Sequence, residues 1–470
     1  MVIKIKLKPF HLFKHQGCRC VINIEEMHAY TVDETTSEML EEFKAESGAA
    51  LPSGIVDQLN ELGLIANDEE KPGNEVKKET VPLSNISLFL TQSCNLNCIY
   101  CYGNGGEYGG GGSLEEKTAY QAVDWLIEQS GKQKKIHVGF FGGEPFLEFT
   151  MMQKVAKYAQ KRAKEVNKKV GFSITTNATL LDDEKIAFLE EYDVSALISF
   201  DGPREIQDAQ RPFVNGKGPN GNGSYDVIMP KIKKLLKKRP KTHGHAVITG
   251  QTDPQLVKNA LQEIGFAEVS VSPASKSLFD EKSEDTSSDR DFNIILKLME
   301  QEADKWLQYT KKRDSQFLKK LMSNSQLYPA LIGFLHNTKR RFPCGAGLGM
   351  AGVSCVGDVY LCHRFVGMEE YKMGNVFNDD LNREKYQRSP VTYVEECNNC
   401  FARYYCAGGC KHDNASSCGS GFKPSPDMCR LKCREAELAA YIACLLTDED
   451  CAFLAEHEIV PNKPCPLDFG

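Results

Sequence analysis

The chain has 470 residues, a formal net charge of -7 and 18 cysteines. Its length predicts two or three packed domains. Because an acidic chain has no general attraction for nucleic acid or anionic lipid, both are excluded as expected partners. No apolar run approaches the roughly 20 residues that span a bilayer, and the start lacks the features of a signal peptide, so we expect a cytoplasmic protein without membrane contact.

Residues 1–66 form the first predicted domain. Alternating runs in VIKIKL and CRCVINIE indicate strands, and MHAYTVDETTSEMLEEF passes from a strand into a helix. This order is similar to the winged-helix domain with which maturases of ribosomally made peptides recognise a leader peptide, added as an extra strand at a sheet edge. A structural cap is the alternative. The polar residues 67–82 are predicted to be a linker.

Residues 83–276 are predicted to form an α/β domain. Strand and helix patterns alternate from ISLFLT to AEVSVS, with six strands in all. Such alternation implies parallel pairing with right-handed crossovers, and an open, partial (β/α)6 barrel fits it. A capping box of Ser113 and Glu116 is predicted to begin the first helix. Residues 277–340 are predicted to be a helical bridge to a cysteine-rich domain over 341–470.

The cysteines are concentrated in a few places, which favours cofactor binding over disulfide bonds in a cytoplasmic chain. Cys94, Cys98 and Cys101 have the spacing C-x3-C-x2-C directly after the first barrel strand. Three thiolates can hold three irons of a four-iron cluster and leave the fourth iron open to a ligand. A closed zinc site would need a fourth ligand that this segment does not supply.

The GGEP segment gives this trio a specific context. Gly142, Gly143, Glu144 and Pro145 end the second strand, where a turn rich in carbonyl groups can hold an amino group. Trio and segment together resemble the radical S-adenosylmethionine (SAM) family. The resemblance implies that the cysteines bind a reducible 4Fe-4S cluster and that its open iron chelates SAM. One-electron reduction then releases a 5'-deoxyadenosyl radical, which the protein has to orient and shield.

Further strand ends match the same pattern of SAM binding. Thr176 and Asn177 end the third strand, and Ser199 and Asp201 end the fourth, where strand ends face a common crevice. Arg211 is predicted to pair with the methionine carboxylate in the fork geometry of a guanidinium. Each residue alone has a turn or cap role as an equal alternative. The prediction of a cofactor site therefore rests on these five residues taken together.

The C-terminal cysteines follow two spacings, C-x12-G-x4-C and C-x2-C-x5-C-x3-C. The first comprises Cys344, Gly357 and Cys362, and the second comprises Cys397, Cys400, Cys406 and Cys410. They resemble the SPASM extension of radical enzymes that mature peptides and proteins, in which a later cysteine, best matched here by Cys429, completes the set. A zinc ribbon is the alternative, and the upstream trio with GGEP disfavours it.

The resemblance divides these cysteines between two auxiliary 4Fe-4S clusters. Auxiliary cluster I takes Cys344, Cys362 and Cys410. Auxiliary cluster II takes Cys397, Cys400, Cys406 and Cys429. Cluster I is then one ligand short: either Cys355 supplies it, or the iron stays open to a substrate thiolate, which we favour. An open iron suits sulfur chemistry, because metal binding lowers the pKa of a thiol.

The segment GDVYLCHRFVG and the N-terminal domain look most similar to thioether-forming maturases of ranthipeptides and of quinohemoprotein amine dehydrogenase. That resemblance implies carbon–sulfur links between Cys thiols and Asp or Glu side-chain carbons of a precursor peptide. The peptide would bind through its leader at the N-terminal domain, with flavodoxin or ferredoxin as reductant. A maturase that makes carbon–carbon links would share every motif. A noncatalytic electron carrier would need the cysteines alone.

His363 is the one candidate for a catalytic side chain. Anaerobic sulfatase maturases, which these motifs also resemble, have an acidic residue acting as base just after the second motif cysteine, and this chain has histidine there. A histidine can accept a proton near neutral pH. The alternative, which we favour, is that His363 holds the neighbouring ligand Cys362 in place.

Three four-iron clusters predict about twelve irons per anaerobically purified chain. The measurement is iron, sulfide and zinc content after cluster reconstitution. Abundant zinc with little iron would contradict the radical mechanism.

Overall fold

The computed structural model describes residues 2–4, 6–45, 50–66, 81–250, 252–279, 289–378, 381–387 and 390–461. The strands are β1 (Val2–Lys4), β2 (Phe10–His15), β3 (Cys18–Asn23), β4 (His28–Val32), β5 (Ala50–Pro52), β6 (Asn85–Thr91), β7 (Lys135–Gly142), β8 (Lys169–Thr176), β9 (Ser195–Ser199), β10 (His243–Ile248), β11 (Glu268–Pro273), β12 (Met350–Val353), β13 (Asp358–Tyr360) and β14 (Lys372–Asn375).

The helices alternate with these strands in the centre of the chain and dominate its C-terminal part. They are α1 (Glu34–Ala45), α2 (Ser53–Glu61), α3 (Glu116–Gln129), α4 (Phe149–Glu165), α5 (Asp183–Glu191), α6 (Arg204–Gln210), α7 (Ser224–Lys238), α8 (Pro254–Ile264), α9 (Asp289–Lys311), α10 (Ser315–Met322), α11 (Tyr328–Leu335), α12 (Glu384–Gln387), α13 (Glu395–Asn398), α14 (Arg403–Cys406), α15 (Lys411–Cys418), α16 (Pro426–Leu445) and α17 (Asp448–Glu456). Within the described ranges, no helix is long and apolar enough to cross a membrane.

A nine-stranded sheet in the order β11-β10-β9-β8-β7-β6-β12-β13-β14 forms the centre of the fold. The six strands from β6 to β11 are parallel, and helices connect each to the next. The predicted α/β class with a parallel sheet is therefore confirmed. Past β6 the sheet continues with β12, which is also parallel, and then with the antiparallel strands β13 and β14.

The two faces of the barrel strands differ in packing. In β7, Ile136, Val138 and Phe140 are buried, whereas His137 and Gly139 between them are half-buried. Successive side chains of a strand point to opposite faces, so the buried residues share one face and the half-buried ones share the other. The same alternation recurs in β8, β9 and β10. The second face borders a cavity, which leaves room for a ligand.

The first barrel helix begins later than the sequence indicates. Helix α3 has Glu115 at its N-cap, and no side chain caps it. Ser113 instead forms a bridge with Thr91 and donates its hydroxyl to Glu148 at 2.6 Å. The predicted capping box of Ser113 and Glu116 is therefore wrong, because pairing beside β6 holds Ser113 in an extended segment.

The N-terminal part packs on both of its faces. Strands β2, β3 and β4 form an antiparallel sheet beside α1 and α2. Val21 belongs to a small local core with Leu40 and Leu59, whereas Cys20 and Ile22 belong to the main core. The winged-helix assignment and the domain boundaries stay predictions. Most of the predicted linker and part of the predicted bridge, at 67–80 and 280–288, lie outside the described residues.

Candidate functional site

A cavity of about 630 Å³ lies at the inner face of the barrel strands. It brings together many of the predicted site residues: Cys94, Cys98, Cys101, Gly142, Gly143, Thr176, Asn177, Ser199, Arg211 and His363. Glu144, Pro145 and Asp201 lie outside its lining. The predicted auxiliary cysteines, all of which the structure describes, also lie outside it.

The cysteine trio occupies the loop that follows β6. The loop is held by backbone hydrogen bonds from Asn97 to Pro212 at 2.8 Å and from Ile99 to Gln210 at 3.0 Å. Burial raises the pKa of Cys94 to about 12 and that of Cys98 to about 11. The free thiols are thus protonated at neutral pH, and a metal that binds them has to displace the protons. Three thiols on one loop facing a cavity fit the predicted cluster.

Gly142 and Gly143 are required by a close approach of two backbones. A Cβ atom on Gly142 would meet the carbonyl oxygen of Thr91, and one on Gly143 that of Ser93, closer than the 3.0 Å that real Cβ atoms keep. The Gly143 amide donates to the Thr91 carbonyl at 3.1 Å, and the Glu144 amide donates to the Ser93 carbonyl at 2.9 Å. The turn after β7 is therefore bonded directly to the start of the cysteine loop.

Glu144 connects two strand ends from behind the cavity wall. It is fully buried and accepts hydrogen bonds from the Thr176 hydroxyl at 2.7 Å, the Asn177 amide at 2.8 Å and the Phe146 amide at 3.1 Å. Burial raises the pKa of Glu144 to about 7, although these hydrogen bonds act in the opposite direction. In this geometry Glu144 braces two strand ends, and its predicted role in cofactor binding stays a prediction.

Asn177 links β8 to the cysteine loop. Its side-chain amide donates to Asn95 at 2.9 Å and lies 3.8 Å from the sulfur of Cys94. Asn95 in turn donates to Thr179 at 2.8 Å. The third strand end therefore positions the first cysteine of the trio.

Asp201 and Arg211 form a buried ion pair beside the second cysteine. Arg211 Nε lies 3.1 Å from Asp201 Oδ2, which also accepts from the hydroxyl of Tyr100 at 2.5 Å. One terminal nitrogen of Arg211 lies 3.8 Å from the sulfur of Cys98. Burial alone would lower the pKa of Arg211, but Asp201, Tyr100 and Cys98 together outweigh it and the pKa is raised. A permanent positive charge therefore borders the cavity next to the predicted cluster.

His363 also lines the cavity, with its ring centroid 4.6 Å from that of Phe141. Burial lowers the pKa of His363 to about 3, and the positive charges of Arg364 and His412 contribute. The ring is therefore neutral at neutral pH. The prediction of a catalytic role for His363 stays a prediction.

Sequence patterns did not single out Arg364 and Asp413, which border the same cavity. Arg364 donates to Asp413 at 2.7 Å, lies 3.5 Å from the sulfur of Cys410 and stands 4.9 Å over the ring of Tyr102. Tyr102 directly follows Cys101. These side chains thus connect the first cysteine trio with a predicted ligand of auxiliary cluster I. In the sequence, the one feature that could have pointed to these two residues is that each lies within three positions of a motif cysteine.

The structure brings Cys362 close to Cys344 and Cys410. Burial raises the pKa of Cys362 to about 12, and the two other thiols raise it further as neighbouring negative charges. Cys355 lies in a different environment, with its sulfur 3.4 Å from the carbonyl oxygen of Phe89. The choice between Cys355 and an open iron at auxiliary cluster I stays a prediction.

The predicted ligands of auxiliary cluster II are also mutual neighbours. Cys406, Cys429 and Cys400 all act on the pKa of Cys397, which burial raises to about 12. A further thiol joins them, because the sulfur of Cys433 lies 3.9 Å from that of Cys400. Sequence spacing left Cys433 without a role.

Within the described residues, no group of three or more His, Cys, Asp or Glu side chains could hold a single metal ion. A four-iron cluster is a larger object, and it keeps its thiolate ligands further apart than the ligands of one ion. The donors at all three positions are thiols, which are the ligands that iron–sulfur clusters use.

Comparisons with known proteins agree with this geometry. Residues 88–261 match the sequence profile of the Radical SAM superfamily. An uncharacterised protein of Methanocaldococcus jannaschii is 28% identical over 69% of this chain and 96% of its own length. A serine-type anaerobic sulfatase-maturating enzyme of Bacteroides thetaiotaomicron is 26% identical over 70% of this chain and 82% of its own.

The fold is shared with a solved structure described as native anSMEcpe with bound AdoMet and Kp18Cys peptide. The TM-score is 0.61 at 21% identity, over 76% of this chain and 99% of the other. A likeness at this identity concerns the fold.

We expect Gly143→Ala to destabilise the metal-free chain by about 1–3 kcal/mol, because the added Cβ forces the two backbones apart. The measurement is the free energy of unfolding in urea. Gly111→Ala is the matched control, since nothing lies within 4 Å of its added Cβ, and its effect should stay within about 0.5 kcal/mol. Equal effects of the two substitutions would contradict the close approach.

The raised pKa of Glu144 predicts that the stability of the chain depends on pH. Its pKa rises from 4.5 to about 7 on folding, so between these values the folded chain keeps a proton that the unfolded chain has lost. The free energy of unfolding that Glu144 contributes therefore falls as pH rises through this window, and is largest below it. We expect the difference in unfolding temperature between the wild type and Glu144→Gln to change across the window. A pH-independent difference would contradict the raised pKa.

Proposed function

We propose that this chain, whose residues 88–261 form a domain of the Radical SAM superfamily, is a radical SAM maturase of a ribosomally made peptide. One observation carries the proposal: a single cavity is lined both by the trio Cys94, Cys98 and Cys101 and by His363 and Arg364. His363 and Arg364 directly follow Cys362, a predicted ligand of an auxiliary cluster. A substrate in this cavity thus borders two proposed cluster positions.

The cofactor site follows from the residues around the trio. When bound, the 4Fe-4S cluster with SAM supplies the 5'-deoxyadenosyl radical. Cys94, Cys98 and Cys101 hold the cluster in the proposal, and the backbone at Gly142 and Gly143 borders the same space. Arg211 offers a guanidinium beside Cys98, which suits the carboxylate of the methionine part.

A peptide substrate is supported by the relatives. The Bacteroides thetaiotaomicron relative is named as a sulfatase-maturating enzyme, and the solved structure of similar fold is described with bound AdoMet and a peptide. The cavity extends from the trio to Ser275, Lys276 and Asp427, so it also offers polar side chains for a peptide. In this proposal the peptide binds through its leader at the N-terminal domain, and a flavodoxin or ferredoxin donates the electrons.

Thioether formation is the finer part of the proposal. The Cys355 sulfur lies against the carbonyl oxygen of Phe89, and the thiols that act on Cys362 are those of Cys410 and Cys344. Both observations support an auxiliary cluster I with an open iron for a substrate thiolate. The positive charge of Arg364, 3.5 Å from the sulfur of Cys410, stabilises the added negative charge of such a thiolate. His363, which directly follows Cys362, packs against Phe141. This contact favours a structural role in which His363 helps to hold Cys362 in place.

The proposed reaction replaces one C–H bond of an Asp or Glu side chain and one S–H bond of a Cys by a C–S bond. In balance, the carbon would lose one hydrogen atom, the thiol would lose one proton to solvent, and an auxiliary cluster held by the C-terminal cysteines would accept the surplus electron. A maturase that makes a carbon–carbon link also removes two hydrogens, so mass alone does not separate the two products.

The first test is the cleavage of SAM. We expect the anaerobically reconstituted chain with dithionite to form 5'-deoxyadenosine, and Cys98→Ala to reduce this to background because the cluster loses a ligand. Cys451→Ala on α17 is the matched control and should keep full activity. A wild-type chain with a full iron content that forms no 5'-deoxyadenosine would overturn the radical proposal and favour an electron carrier.

The second test identifies the bond. Candidate peptides with Cys and with Asp or Glu are incubated with the enzyme and then treated with iodoacetamide. A thioether product is lighter by two hydrogens per link and leaves no thiol to alkylate. A lighter product that is still alkylated at every Cys would contradict thioether formation and favour a carbon–carbon link.

A further inference from the structure

Five thiols, one more than a cluster needs, surround the position assigned to auxiliary cluster II. Cys397, Cys400 and Cys406 come from the segment around α13 and α14, and Cys429 and Cys433 from α16. Residues four apart on a helix lie on the same face, so Cys429 and Cys433 both point toward the other three. The Cys400 and Cys433 sulfurs are 3.9 Å apart.

Four thiolates complete the coordination of a four-iron cluster, so one of the five has to stand outside it. Cys429 is an electrostatic neighbour of Cys397, Cys400 and Cys406 alike. Cys433 is an electrostatic neighbour of Cys400, Cys406 and Cys429, and its sulfur contacts that of Cys400 directly. Cys429 acts on Cys397 as well and has the position that the family resemblance assigns to the last ligand, so we take Cys429 as the ligand and Cys433 as the thiol beside it.

The position of Cys433 suits a hydrogen bond to a ligand sulfur. Its side chain is half-buried and packs against the main core, together with Cys400 and Phe401. A thiol is a weak donor, and a thiolate is a better acceptor than a neutral sulfur. Once Cys400 is a metal-bound thiolate, Cys433 at 3.9 Å is placed to donate to it.

We propose that Cys433 is a positioning residue of auxiliary cluster II, whose S–H group donates a hydrogen bond to the thiolate of Cys400 and raises the reduction potential of that cluster. The physical reason is that a donor near a ligand sulfur stabilises the reduced cluster, which carries one more negative charge. The inference rests on the proposed function only for the presence of the cluster. The raised reduction potential makes cluster II the better acceptor of the surplus electron.

The test uses the full chain with Cys94, Cys98 and Cys101 replaced by Ala, so that the two auxiliary clusters remain and SAM chemistry is absent. This parent should hold about eight irons per chain. Cys433→Ala removes the donor, Cys433→Ser restores one, and Cys444→Ala on the same helix is the matched control for the loss of a thiol. The readouts are iron content and a redox titration followed by electron paramagnetic resonance, in which the signal lost in Cys397→Ala marks cluster II.

We expect all three variants to keep the iron of the parent. The midpoint potential of cluster II should be lower in Cys433→Ala and close to that of the parent in Cys433→Ser and Cys444→Ala. Loss of about four irons in Cys433→Ala would overturn the proposal by making Cys433 a ligand. An unchanged potential would overturn the proposal by leaving Cys433 with a packing role only. A parent without iron at these positions would overturn it as well.

This experiment and the test of the proposed function fail separately. A wild-type chain that does not cleave SAM leaves the potential of cluster II in the parent unaffected. A potential that does not respond to Cys433 leaves the formation of 5'-deoxyadenosine unaffected.

Discussion

The candidate site depends on the contact between two backbones at the ends of β6 and β7. Gly142 and Gly143 have no Cβ atoms, so the turn after β7 comes close enough to bond to the carbonyls of Thr91 and Ser93. The cysteine loop begins at this contact. Any larger side chain there would move the loop that carries Cys94, and with it the relation of the trio to every other wall of the cavity.

A second constraint is the polar inner face of the barrel strands. Side chains such as those of His137 and Ser173, which hydrogen-bond to each other at 2.8 Å, border the cavity instead of filling it. A barrel interior packed with branched apolar residues would gain stability from burial but exclude a ligand. Here the apolar residues are buried on the helix side of the sheet, so burial and ligand space occupy different faces.

Helix α16 joins parts of the chain that are far apart in sequence. It carries Cys429 and Cys433, and it packs against β3 and β4 of the N-terminal sheet. On the same sheet His11 stacks on Phe401 with ring centroids 3.6 Å apart, next to Cys400. The N-terminal part and the proposed auxiliary cluster II thus share a packed boundary.

The sequence by itself determined the features that depend on near neighbours: the spacing of the cysteine trio, the GGEP turn and the alternation of strands and helices. These follow from local periodicity and from ligand chemistry, which a linear pattern records. The tertiary structure decided where Ser113 points, that Glu144 braces two strand ends, and that Cys433 approaches Cys400. Those outcomes depend on packing between segments distant in sequence, and no local pattern specifies which side chains such packing brings together.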